Sequence, residues 1–151
     1  MSATFDLTTV TNSIAALSIT GVTVKDSDEI TDSLGMSGTA LLVPRPDNFL
    51  TGLSIVRGEL SGQNLTVRYT LNYQYFHCVI GGGLGGIFSV YQGMLTNIGK
   101  IIVAFSNDAT LTGAIDNGYP NFGRLGPIQD ASGNKYHGCE VSIPITQFLE
   151  V

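Results

Sequence analysis

The stretch from Asn64 to Tyr75 constrains the fold of this chain more than any other. Leu65, Val67, Tyr69, Leu71, Tyr73 and Tyr75 alternate with Asn64, Thr66, Arg68, Thr70, Asn72 and Gln74. Successive side chains of a strand point to opposite faces, so this pattern predicts a long strand with one buried and one polar face. Leu53–Leu60 is the expected antiparallel partner, joined to it through the turn Ser61-Gly62-Gln63-Asn64.

The rest of the sequence supplies helices on either side of that hairpin and more strand behind it. Leu7, Val10, Ile14 and Leu17 fall on one helical face, with Asp6 as the cap and Gly21 past the end. A short strand is expected at Val22–Lys25. Asp26, Asp28, Glu29 and Asp32 follow, and Asp26 with Glu29 fits a capping box with Gly35 as the stop. A calcium loop would need a glycine and a distal glutamate that are missing there. Ala40–Val43 reads as a strand ended by Pro44-Arg45-Pro46, whose prolines forbid helix and point to an extended edge.

After a glycine-rich break at Gly81–Gly86, Ile87, Tyr91, Met94, Leu95, Ile98, Ile101, Ile102 and Phe105 keep helical spacing. Leu111–Ile115 is expected as a strand, Asp116–Pro120 as a turn, and Phe122–Gln129 as extended chain. Asp130, Ala131, Ser132, Gly133 and Asn134 form a hairpin turn. Cys139, Val141, Ile143 and Ile145 alternate beyond it, and Pro144 predicts a free strand edge at its position. There is no internal repeat, linker or shift in composition. The expected architecture is α+β: a single domain over residues 1–151, with a mostly antiparallel sheet, long hairpins and two main helices on one face.

Composition narrows the possible functions. The chain has 151 residues, 43% of them hydrophobic and only 13% charged, with 19 glycines and a net charge of −5. A length like this supports one buried core. The shortage of charge points to surface that another chain covers. Binding to nucleic acid through phosphates needs a basic surplus, and here acids outnumber bases. The start lacks a basic, apolar leader and no run is long enough to cross a bilayer, so a product of a reducing cytosol, with no membrane partner, is expected. Two cysteines are too few for a disulfide scaffold. Asn64-Leu65-Thr66 matches a glycosylation sequon, which has no meaning without secretion.

Few residues point to catalysis. Gly81, Gly83 and Gly86 satisfy G-x-G-x-x-G between an expected strand and a helix, as a dinucleotide or flavin site would require. The acid that should end the next strand is replaced by Phe105-Ser106-Asn107, and the antiparallel pattern before it is foreign to such folds. A glycine-rich connection accounts for the same letters. His77, Cys78, His137 and Cys139 have metal-ligand identities. On a regular strand His77 and Cys78 point to opposite faces, and neither C-x-x-C nor H-x-x-x-H is present. There is no G-x-S-x-G, and the Tyr69, Tyr73, Tyr75 stripe has the spacing of a core or subunit interface. No enzyme activity, metal or other cofactor is expected.

The order of elements resembles the tail terminator, or tail-completion, proteins of the neck of long-tailed bacteriophages. The resemblance spans nearly the whole chain. It rests on the helix, the short strand and acidic turn, and the Pro-x-Pro ahead of a long hairpin carrying Tyr69-Thr70-Leu71-Asn72-Tyr73. The glycine-rich break, one long helix and a closing hairpin with Asp130, Gly133 and Tyr136-His137-Gly138-Cys139 complete it. The run Gly81–Gly86 departs from the short connection usual there. The resemblance implies a structural virion protein, assembled in the host cytoplasm as a ring, commonly a homo-hexamer, at the tail–head junction. Its implied partners are further copies of itself, the tail tube protein and a head-completion or neck protein, with DNA passing through unbound. The candidate contact loops are Ser61, Gly62, Gln63 and Asn64; Gly82, Gly83, Leu84 and Gly85; and Asp130 to Asn134. A head-completion stopper and a small nucleotide-binding or flavin-binding module are the alternatives.

Overall fold

The computed structural model describes residues 5–29, 39–57, 64–80 and 87–150. Its order is α1 (Leu7–Ala15), β1 (Val22–Val24), a 3-10 turn (Ser27–Glu29), β2 (Ala40–Pro44), β3 (Leu50–Arg57) and β4 (Asn64–Val79). Then come α2 (Ile87–Asn107), β5 (Asn117–Gly118), β6 (Asn121–Phe122), β7 (Gly126–Gln129) and β8 (Lys135–Glu150). The strands make one sheet. Its backbone order is β1-β2-β4-β8-β5, with β3 also on β4 and β6 and β7 also on β8. Only β1 and β2 run parallel among the described strands; every other pairing is antiparallel. This is the α+β domain expected from the sequence.

The centre of the sheet is the pair of 16-residue strands β4 and β8. Their alternating patterns meet in register: Tyr69 opposes Ile145, Leu71 opposes Ile143, and Tyr73 opposes Val141. All six of these side chains are buried. They form one core with Val10 and Ile14 of α1 and Met94, Ile101 and Phe105 of α2, so both helices cover the same sheet face. Each fully buried large apolar side chain contributes roughly 1.5–3 kcal/mol relative to an exposed one. The other face carries Thr66, Arg68, Thr70 and Asn72 and one small cluster, in which Val43, Phe76 and Tyr136 pack together.

Local chemistry explains the boundaries. The Asp6 carboxylate accepts hydrogen bonds from the Thr8 backbone N–H at 3.0 Å and the Thr9 hydroxyl at 2.8 Å, which caps α1. The helix stops at Ala15, short of Gly21. One arm of the predicted capping box is present: the Asp26 N–H donates to the Glu29 carboxylate at 2.9 Å. Its stop at Gly35 lies outside the described residues. At β2, the partner strand β1 reaches only to Leu42, so Pro44 has no strand on that side. Pro144 likewise falls between the residues paired with β5 and those paired with β6, in a gap of the outer ladder.

Three expectations need correction. Leu111–Ile115 is not a strand. The chain there makes turns, with Leu111, Thr112 and Gly113 all at positive φ. The Asp108 carboxylate holds this otherwise unfavourable backbone by accepting from the Thr112 N–H at 2.8 Å and its hydroxyl at 3.0 Å. Leu111 and Ile115 are buried from this turn, so their apolar character reflects anchoring and not alternation. Phe122–Gln129 is not continuous; it divides into β6 and β7. The first hairpin strand begins at Leu50 and not Leu53, with a register shift between Thr51 and Ser54, and its expected end at 58–60 lies outside the described residues.

Candidate functional site

Of the three candidate contact loops, one is described in full. Asp130 to Asn134 closes the β7–β8 hairpin. The Asp130 N–H donates to the Asn134 carbonyl and the Gly133 N–H to the Asp130 carbonyl, at 3.0 and 3.1 Å. Gly133 takes φ +87°, where a side chain would be strained. The Asp130 carboxylate is buried and accepts from the Ser132 and Asn134 N–H groups, the Asn134 side-chain amide and the Tyr136 hydroxyl. This carboxylate is therefore a structural hub, and the tip offers the exposed Ala131, Ser132 and Asn134. Asp130→Ala should cost about 2 kcal/mol by stripping several donors at once, read as a lowered midpoint in urea denaturation. Asn64 begins β4 opposite Glu150. Ser61, Gly62 and Gln63, and Gly82, Gly83, Leu84 and Gly85, lie outside the described residues.

The hairpin borders a groove of about 720 Å³ on the sheet face away from the helices. Arg45 and Gln74 line it, with Asp47, Gln129 and Glu140 around them. The Arg45 guanidinium bridges Glu140 at 3.2 Å and Asp47 at 3.4 Å, while its Nε is buried with no hydrogen-bond partner. The Gln74 amide donates to Glu140 at 3.1 Å. Arg45 is the residue between the two prolines of Pro44-Arg45-Pro46, and this was the signal in sequence; it had marked only a strand end.

The histidines and cysteines come together differently from the expectation of a regular strand. Between Phe76 and Cys78 the β4–β8 register shifts, so that Phe76 pairs with Gly138 and Cys78 with His137. That bulge brings His77 and Cys78 to the same, helix-covered side. Cys78 joins the main core, and the His77 ring packs on α2 where a Cβ on Gly93 would lie 2.9 Å from Nε2. Any larger residue at that position of α2 would displace the ring. The Tyr75 hydroxyl receives the Asn97 amide at 2.9 Å and lies 2.7 Å from His77 Nδ1. Burial holds that hydroxyl protonated, so it is able to donate to Nδ1 when the neutral imidazole carries its proton on Nε2.

Burial, and then the neighbouring His137, hold the His77 imidazole below its ordinary range. The unfolded chain therefore binds more protons than the folded one as pH falls through about 6.5. Stability on this account is full above that pH and declines below it, until the folded-state imidazole also protonates. Urea midpoints at pH 7.5 and pH 5 should show the loss, and His77→Gln should reduce the difference. Cys78 and Cys139 are free and buried. Burial pushes both thiols up, that of Cys139 to about 11, which makes them poor nucleophiles at neutral pH. Among the described residues, no group of three or more His, Cys, Asp or Glu could hold a metal ion.

The strand–glycine–helix order of the nucleotide reading is present, with β4 before the glycines and α2 after them. No strand after α2 pairs with β4 in parallel among the described residues; its neighbour β8 is antiparallel, so the adjacent parallel strand pair of a dinucleotide site is missing there. No helix among the described residues is long and apolar enough to cross a membrane.

The least protected surface is β3. Among the described strands it pairs only with β4, and seven of its eight residues are exposed. Leu53, Ile55 and Val56 are 49%, 61% and 53% exposed. In register, Val56 faces Thr66 and Thr66 faces Phe148, so the exposed Val56 and Phe148 flank Thr66 in a row across three strands on the outer face. Sheet edges left open in this way pair readily with other chains. The sequence matches no protein-family model and no curated protein.

Proposed function

We propose that this chain is a structural virion protein of the tail-terminator kind. In this reading it forms a ring, six copies being the number the resemblance implies, at the tail–head junction of a long-tailed phage. There it ends growth of the tail tube and presents the surface to which the head docks. The observation that carries the reading is β3, an edge strand exposing Leu53, Ile55 and Val56 on a chain with few charges. Such an edge suits a head-to-tail contact, repeated around a closed ring. The Asp130–Asn134 tip and its groove suit contact with a neighbouring ring or neck protein. Six copies of a chain with net charge −5 make an acidic assembly through which DNA slides without sticking.

Cryo-electron microscopy of particles from cells making this chain with its genomic neighbours tests the reading. The expected result is a symmetric ring between tail tube and head, with density that follows this chain. A position on the head side of that junction would make it a head-completion stopper instead. Its absence from purified particles would overturn the virion reading.

A further inference from the structure

The outward side of α2 is not built as a solvent face. A surface helix ordinarily places charged residues opposite its buried stripe. Here Val90, Met94, Ile101 and Phe105 are buried, while Leu95, Ile102 and Val103 are 59%, 45% and 56% exposed. Lys100 is the one charged residue between Ile87 and Asn107. Gly99 lies at the middle of this face, and a Cβ there would meet nothing within 4 Å. A glycine inside a helix costs about 1 kcal/mol relative to alanine. At Gly93 the cost is offset within the chain by room for the His77 ring. At Gly99 the described residues offer no such return. A groove of about 510 Å³ opens beside it, bounded by Ser18, Thr20, Val103 and Asn107.

We propose that a second copy of this chain packs here, α2 against α2 and antiparallel, with the two-fold axis at Gly99. The exposed face matches in kind in both directions from that residue at four and at seven positions, apolar at the first and polar at the second. Leu95 and Val103 lie four positions to either side, Thr96 and Ile102 three, and Gln92 and Ser106 seven. An antiparallel pair centred on Gly99 sets Leu95 on the partner's Val103, Thr96 on the partner's Ile102, and Gln92 on the partner's Ser106. The apolar Leu95–Val103 contacts then flank the axis, the Thr96 methyl meets the partner's Ile102, and polar contacts close the ends. Self-complementarity of this kind is what a two-fold contact between identical chains requires, and an unrelated partner would have no need of it. Lys100 falls opposite the partner's Ile98, so no two lysines meet in register. The paired glycines let the helices approach at the near end of the usual 8–10 Å range. One helix pair buries less than a standard interface, so the association is reversible and depends on concentration. It is independent of the ring proposed above, which needs a head-to-tail contact through another surface.

Two experiments on the full chain test it: sedimentation velocity across a concentration series, and oxidative cross-linking of Gly99→Cys. The native thiols are buried, which keeps the background low. Gly99→Cys is expected to give a covalent dimer, as is the double variant Leu95→Cys with Val103→Cys, whereas Leu95→Cys alone gives little. Gly99→Gln should weaken self-association at least about tenfold. Its thermal midpoint should be unchanged or raised, which separates a lost contact from a lost fold. A wild-type chain that stays monomeric, or a Gly99→Cys variant that does not cross-link, overturns the proposal. Equal cross-linking through Leu95→Cys alone overturns the two-fold at Gly99. A ring that forms without the Gly99 cross-link overturns this contact and leaves the ring reading standing.

Discussion

Gly138→Ala is expected to be the most damaging single substitution in the described part of the chain. Gly138 sits opposite Phe76 where β4 and β8 change register. A Cβ there would collide with the backbone carbonyl oxygen of Tyr75 and come within 2.8 Å of Ile128 Cδ1. The carbonyl belongs to the central strand and cannot rotate away as a flexible side chain would. Relief requires the two long strands to part beside the His77 bulge, which also carries the Tyr75–His77 hydrogen bond. The cost should be about 4 kcal/mol or more. That is a large share of the 5–15 kcal/mol that holds an ordinary domain folded. Urea denaturation followed by far-ultraviolet circular dichroism measures it. A loss below about 1 kcal/mol would mean that the strands separate locally with little penalty.

The second large effect belongs to a buried amide. Gln147 is 2% exposed. Its side-chain oxygen accepts from the Tyr69 hydroxyl at 2.6 Å, and its nitrogen donates to the Ala114 carbonyl at 2.9 Å. It thus joins the two central strands to the turn that follows α2. Gln147→Leu keeps the bulk but leaves a buried hydroxyl without its acceptor and a carbonyl without its donor. Each orphaned group costs roughly 1–3 kcal/mol, so the variant should lose about 3 kcal/mol. Adding Tyr69→Phe on that background removes one orphan and should recover part of the loss. A double-mutant cycle in urea reads the coupling. Additive losses would show that the Tyr69 hydroxyl finds another partner once the amide is gone.

What the sequence disclosed depended on whether a feature was local and regular. The β4 and β8 alternations, the Asp6 cap, the Asp130–Asn134 turn and the gap at Pro144 each follow from neighbouring residues, and each stands in the fold. The His77 bulge did not follow, because the shift is decided by the register of β8 and not by the letters of β4. With period two assumed throughout, Cys78 was placed on the wrong face. Leu111 and Ile115 misled for a related reason: apolar residues in a turn held by Asp108 resemble a short strand when tertiary context is missing. The Arg45 groove was invisible because Gln74 and Glu140, though opposed on paired strands, are distant in sequence. The exposure of β3 was out of reach too, since Leu53, Ile55 and Val56 have the composition of buried strand.

The pairing of β4 with β8 also sets an order of events during synthesis. Tyr69 and Gln147, which bond across these strands, are 78 residues apart. The ribosome therefore releases β4 long before β8, the partner that fills its second edge and completes the sheet. Until then β4 can hold only β2 and β3, with Tyr69, Leu71 and Tyr73 lacking their partners on β8. Contacts this distant in sequence slow folding and prolong the life of sticky intermediates. A nascent chain truncated before Lys135 should thus be the species that chaperones hold, and release of β8 should be the moment at which the domain becomes resistant to protease.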